Sequence, residues 1–125
     1  MAMILLIEDE SQTRKMLRQM LEGDGYEVIE APEGEIGIEL YKEKQADLVI
    51  TDIIMPGKEG METIRELKRD FPDVKIIAIS GGGRIDPADY LHMAKKFGAM
   101  RTLKKPFKRE DLLAAVRDLL QGSEK

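Results

Sequence analysis

The chain contains no cysteine, so neither a disulfide framework nor a thiolate metal site is open to it. It has a single histidine, His92, and none near its candidate acidic site, which removes the usual recruits for zinc. No apolar run approaches the roughly 18 residues needed to cross a bilayer. The N-terminus lacks a basic segment followed by an apolar stretch and a small-residue cleavage site, so no secretory signal is expected. Repeats, low-complexity tracts and long linkers are absent as well. One domain is therefore expected over residues 3–121, with 1–2 and 122–125 read as frayed or artificial ends. Together these absences suit the cytoplasm. Strong charge of either sign is also missing: Lys+Arg number 20 against Asp+Glu 24, a net charge of -4. Direct binding to a nucleic-acid backbone, which usually needs a clustered basic face, is not expected. The late basic residues Lys95, Lys96, Arg101, Lys104, Lys105, Lys108 and Arg109 read mainly as solvated helix faces.

What is present is a globular balance, 42% hydrophobic and 35% charged over 125 residues, enough for one core. Met3–Ile7 is apolar throughout and ends abruptly in Glu8, Asp9 and Glu10, as a parallel strand buried on both faces would. Ser11 is positioned to cap a helix with Met16, Leu17, Met20 and Leu21 turned inward, stopped at Gly23–Gly25. Tyr26–Ala31 reads as a second strand. A weaker helix over Glu33–Lys44 carries Ile36, Leu40 and Tyr41 on one side, with Gly34 and Gly37 counting against it. Leu48–Thr51 is the third strand and runs into Asp52. Met61, Ile64, Leu67 and Phe71 recur at helical spacing before Pro72, and Lys75–Ser80 is the fourth strand, followed by Gly81–Gly83. A helix from about Pro87 to Phe97, a short strand Met100–Leu103, and a last helix marked by Leu112, Leu113, Val116, Leu119 and Leu120 complete the chain. Such alternation predicts an α/β fold with a parallel sheet and helices on both faces.

Ligands of open parallel sheets bind beyond the carboxyl ends of the strands. The polar residues of this chain fall there: Glu8 and Asp9 after strand one, Asp52 at strand three, Ser80 at strand four, Lys104 and Lys105 after strand five. Three crowded carboxylates repel unless a cation compensates. All-oxygen ligation with water left on the metal favours Mg²⁺, with Mn²⁺ also possible. A divalent ion plus an ammonium is the usual arrangement for neutralising a phosphoryl group during transfer, and a carboxylate can be the nucleophile. Asp52, on the middle strand, is best placed to be both ligand and acceptor, with Ser80 and Lys105 available to phosphoryl oxygens.

At these residues the chain resembles the response-regulator receiver domains of two-component systems. Glu8-Asp9-Glu10 is similar to their acidic pair, and Thr51-Asp52-Ile53-Ile54-Met55-Pro56-Gly57 to their phospho-acceptor loop. Ala78-Ile79-Ser80-Gly81 resembles their switch-hydroxyl strand, and Gly98-Ala99 with Lys105-Pro106-Phe107 their lysine loop. Each motif alone is weak; four in order, spanning about Met3 to Leu120, are specific. The resemblance implies a flavodoxin-like three-layer sandwich with a five-stranded parallel sheet in the order 2-1-3-4-5. It implies Mg²⁺ held by Asp9, Asp52 and the backbone carbonyl of Ile54, with Glu8 acting through water. It implies that Asp52 takes its phosphoryl group from a sensor histidine kinase or histidine phosphotransfer protein, that Ser80 and Lys105 hold the phosphoryl oxygens, and that the Lys105–Pro106 bond is commonly cis. A downstream protein partner would meet the face of helix four, strand five and helix five, where Tyr90, Met93, Arg101 and Lys104 are contact candidates. Such a domain is not an enzyme acting on an external substrate, although it promotes its own phosphorylation and dephosphorylation.

Thr102 stands where many members carry an aromatic residue on strand five, which leaves Gly81–Gly83 as the candidate reporter of phosphorylation. Glu8 replaces a frequent Asp with its charge kept. Ile54 and Gly82 offer no polar side chain to orient a hydrolytic water, which predicts slow self-dephosphorylation. Blander readings stand beside these. Glu8 and Asp9 could cap the first helix, Ser80 could be a turn residue, and Lys104 should face solvent. His92 reads as a partly exposed structural residue and no internal phosphodonor. Of rival functions, a dehalogenase-type phosphatase would want an Asp where Ile54 stands, a flavin site would not have an acidic first loop, and no phosphate loop for nucleotide hydrolysis exists. The strongest rival is a pseudo-receiver, an interaction module of the same fold that takes no phosphate. The chain could equally be a stand-alone regulator or a segment of a longer one.

Overall fold

The computed structural model describes residues 2–53, 60–80 and 87–122, with the side chains of 87–91 and 122 left aside. Strands and helices alternate throughout: β1 (Met3–Ile7), α1 (Ser11–Gly23), β2 (Glu27–Ala31), α2 (Gly34–Lys44), β3 (Leu48–Asp52), α3 (Gly60–Asp70), β4 (Ile76–Ser80), α4 (Pro87–Phe97), β5 (Arg101–Lys104) and α5 (Arg109–Gly122). Every strand pairing is parallel, and the order is β2-β1-β3-β4-β5, as the family resemblance implies. Parallel neighbours require crossovers, and here each crossover is a helix.

Alternation within each apolar strand sends its side chains to both faces of the sheet. Leu5, Ile7, Val49, Ile76 and Ala78 meet Ile38 and Tyr41 of α2, Met61, Ile64 and Leu67 of α3, and Ala94 of α4. Ile4, Leu6, Leu48, Ile50, Ile77 and Ile79 meet Leu17 and Leu21 of α1 and Leu112, Leu113, Val116 and Leu119 of α5. The result is a three-layer sandwich with two cores separated by one sheet. Burying a Leu or Ile side chain stabilises by about 1.5–3 kcal/mol, so the β1, β3 and β4 runs anchor the fold.

Several local expectations shift. Residue Glu10, not Ser11, is the N-cap of α1, and its side chain makes no cap bond to the backbone; Ser11 is the first helical residue. Met16 points outward while Leu17 and Leu21 are buried, because the sheet lies under the Leu17–Leu21 stripe. On α2, Ile36 is exposed and the buried face is Gly34, Gly37, Ile38 and Tyr41. Gly37 explains that rotation: a Cβ there would lie 2.4 Å from the Ile7 side chain, so the absent side chain lets α2 rest directly on β1. What weakened the helix on propensity is a requirement of packing. Strand limits move by one residue, β2 starting at Glu27, β3 ending at Asp52, β4 starting at Ile76 and β5 spanning Arg101–Lys104. Among the described residues, no helix is long and apolar enough to cross a membrane.

The candidate phosphoryl site

Parallel β1 and β3 end side by side, Ile7 being paired with Thr51, and this register carries Glu8, Asp9 and Asp52 to one edge. Their carboxylates each place an oxygen within 4.8 Å of the others. Glu8 and Asp52 are buried and Asp9 is exposed, so the cluster has a dry floor and a wet mouth. Lys105 follows β5 at the same edge through a cis Lys105–Pro106 peptide. Its Nζ donates to Asp52 Oδ2 at 3.0 Å and to Glu8 Oε1 at 3.3 Å. The Lys105 backbone N–H donates to the Ser80 carbonyl at 2.7 Å, which ties the lysine loop to the end of β4. Lys104 is exposed, as expected.

Burial pushes the Glu8 carboxyl from 4.5 up to about 7, and the Asp52 charge adds to the rise; the Glu10 N–H, which donates to Glu8 Oε2 at 3.1 Å, and the Lys105 ammonium oppose it. Burial would lower the Lys105 ammonium, but its bond to Asp52 and the charges of Asp52 and Glu8 outweigh that and raise it. The site holds more negative charge than one lysine balances. A hard divalent cation on oxygen ligands is the chemical complement of that donor set, so the residues present fit one.

Ser80 ends β4 fully buried, and its Oγ finds no hydrogen-bond partner among the described residues. A buried hydroxyl without a partner costs about 1–3 kcal/mol, an expense that a merely structural turn residue would avoid. Ile54, the Met55-Pro56-Gly57 segment and the Gly81–Gly83 loop lie outside the described residues, as does the Tyr90 side chain. His92, Met93 and Arg101 are exposed, and Arg101 is ion-paired with Asp118 of α5. Met16, turned out of the core, lines a groove of about 480 Å³ with Thr13, Met20, Lys105, Pro106 and Phe107 beside the site.

Two supporting residues escaped the sequence reading. Gly60 opens α3 so close to the end of β3 that a Cβ would lie 2.0 Å from the Asp52 carbonyl oxygen and 2.4 Å from Ile53 Cα. Its only sequence signal is a glycine at the start of a helical pattern. Arg14 on α1 donates to the Glu8 carbonyl at 2.8 Å. Its signal is the Arg14–Arg18 spacing of one helical turn, facing an acid, Glu30, on the next strand.

Comparison with known proteins decides the family: the response regulator receiver domain family matches residues 4–117. The chain belongs to the response regulator receiver domains. A solved receiver domain protein from Clostridium thermocellum superposes with a TM-score of 0.92 at 34% identity, covering 99% of this chain and 98% of that one. The receiver is also 35% identical over 122 residues to the sensor kinase CckA of Brucella abortus, covering 96% of this chain and 13% of CckA. With the transcriptional regulatory protein CpxR of Escherichia coli K12 it shares 31% identity over 120 residues, 96% of this chain and 50% of CpxR. The receiver thus spans a small part of one such relative and half of the other. It is a signalling domain of two-component systems.

Proposed function

We propose that this receiver accepts a phosphoryl group on Asp52 from a phosphohistidine of a sensor kinase or phosphotransfer protein, and that the change is passed to a protein partner. The observation that carries the reading is the Lys105 ammonium held between Asp52 and Glu8, at the edge where three carboxylates meet. Asp9 and Asp52 would hold Mg²⁺, with Mn²⁺ as an alternative, together with the Ile54 carbonyl; Glu8 would act through water. The bound ion would supply Lewis-acid neutralisation of phosphoryl charge.

The chain's own groups do the rest. An Asp52 carboxylate oxygen attacks phosphorus, forming the P–O bond as the donor's P–N bond breaks, and the electron pair leaves on the imidazole. Lys105 already lies 3.0 Å from that carboxylate and would turn its N–H groups to a phosphoryl oxygen. The Ser80 hydroxyl, buried and without a partner among the described residues, would donate to another. A phosphoryl oxygen that satisfies that hydroxyl would favour the phosphorylated state, a local bias for a two-state switch. The output face of α4, β5 and α5, with the exposed Met93, Arg101 and Lys104, is part of the same proposal, as is a cytoplasmic location.

Intact mass after incubation with acetyl phosphate, with and without Mg²⁺, tests the reading. A Mg²⁺-dependent gain of one phosphoryl group, lost in Asp52→Asn, is expected. No gain under any condition would instead mark an interaction module that takes no phosphate.

A further inference from the structure

We infer that Arg14 is a positioning residue for the acid pair, acting through the peptide that joins Glu8 to Asp9; this rests on the reading of that pair as the cation site. The Arg14 guanidinium donates to the Glu8 carbonyl at 2.8 Å, and that carbonyl belongs to the peptide plane that delivers Asp9. The guanidinium is itself held: its Nε lies 3.4 Å from Glu30 Oε1 on β2, and Arg18, one turn along α1, pairs with Glu30 Oε2 and with Glu22 at 3.0 Å. The same stretch is fixed from its other side, because the Glu8 N–H donates to the Ala31 carbonyl at 3.0 Å and the Glu10 N–H returns to the Glu8 carboxylate at 3.1 Å. Glu8 is therefore clamped at its N–H, its carbonyl and its carboxylate. The carboxylate is also held by Lys105 Nζ at 3.3 Å, whereas the carbonyl, and with it the Glu8–Asp9 peptide, is held by Arg14 of α1. A planar fork that spans a backbone oxygen and a carboxylate at once is what arginine supplies and lysine cannot.

The sign of one effect separates positioning from simple charge. Arg14 is a cation near an acidic cluster, so removing its charge alone would tighten Mg²⁺ binding. Removing a residue that orients the acids would weaken it, by about tenfold on the scale seen for partners of metal ligands. Calorimetric titration with Mg²⁺, under conditions where circular dichroism shows a folded chain, would compare the wild type with Arg14→Met, Arg14→Lys and Arg18→Met. Arg14→Met is expected to bind about tenfold more weakly, and Arg14→Lys to fall between it and the wild type. Arg18→Met, which loses Glu30 but never touches Glu8, should stay within about twofold of the wild type. Without Mg²⁺, exchange of the Glu10 amide should quicken in Arg14→Met and not in Arg18→Met. Unchanged or tighter binding by Arg14→Met, or equal weakening by Arg18→Met, would overturn the inference while leaving the site reading standing. A folded wild type that binds no Mg²⁺ would refute the site reading and this inference with it.

Discussion

Replacing Glu8 by Gln, with divalent cations chelated, should stabilise the receiver at pH 8 and leave it nearly unchanged near pH 4. The reason lies in where the carboxyl sits. Glu8 is only 2% exposed, and its pKa stands at about 7 where an unfolded chain would show 4.5. At about 1.4 kcal/mol per tenfold change, ionising it in the fold costs roughly 3 kcal/mol. The folded state therefore holds this proton more tightly than the unfolded state. Its contribution is fully present below about pH 4.5 and is lost as pH rises through about 7. Asp9, Asp52 and Lys105 share the site; the Lys105 ammonium, itself raised, stays charged across this window and adds no slope. Urea unfolding of wild type and Glu8→Gln from pH 4 to 8 isolates the term as the difference between the two curves. The variant should gain about 2–3 kcal/mol on the wild type by pH 8, and added Mg²⁺ should close much of that gap. Parallel stabilities across the range would refute the reasoning, because they would mean that Glu8 ionises as freely in the fold as outside it.

Ser80→Ala removes a buried hydroxyl that has no partner among the described residues, so it should be neutral or stabilising by about 1 kcal/mol while phosphoryl uptake falls. A loss above about 1 kcal/mol in denaturant titration would show that the hydroxyl is bonded in the resting fold. Gly60→Ala drives a Cβ to 2.0 Å from the Asp52 carbonyl and should cost at least about 1–3 kcal/mol, with weaker phosphoryl uptake; a thermal midpoint equal to the wild type would contradict that packing. Lys105→Met leaves Glu8 and Asp52 without their shared cation. Since the lysine is 27% exposed, the loss at pH 8 should be about 1–2 kcal/mol, below the cost of breaking a fully buried pair, and it should shrink toward pH 5; a pH-independent loss would point to packing instead.

The layout of the fold was open in the sequence because each inner strand is apolar throughout and ends on a polar residue. Met3–Ile7 runs into Glu8, and Ile76–Ser80 ends on a hydroxyl, so the strands and the edge carrying the chemistry could be read together. Helix faces were harder. Periodicity turned Met16 inward with Leu17 and set Ile36 on the apolar side of α2, yet the sheet surface beneath each helix leaves Met16 and Ile36 exposed and buries Leu17 and Ile38. Gly37 made that choice for α2, yet on propensity alone it counted against the helix. The residues gathered at the candidate site were legible because each lies at a strand end or just beyond one. Arg14 and Gly60 were not, since their importance depends on contacts with Glu8 and Asp52 made only when β1, α1, β3 and α3 are packed. That the Ser80 hydroxyl has no partner among the described residues likewise has no trace in local sequence.

The central claim is that Asp52 carries the phosphoryl group, and the most direct measurement fixes its address. Borohydride reduces an aspartyl phosphate to homoserine, so the receiver would be treated with acetyl phosphate and Mg²⁺, reduced, digested and sequenced by mass spectrometry. Homoserine at position 52, dependent on Mg²⁺, is the outcome expected. Reduction at Asp9, a modified Glu8, or no reduced residue at all would contradict the account.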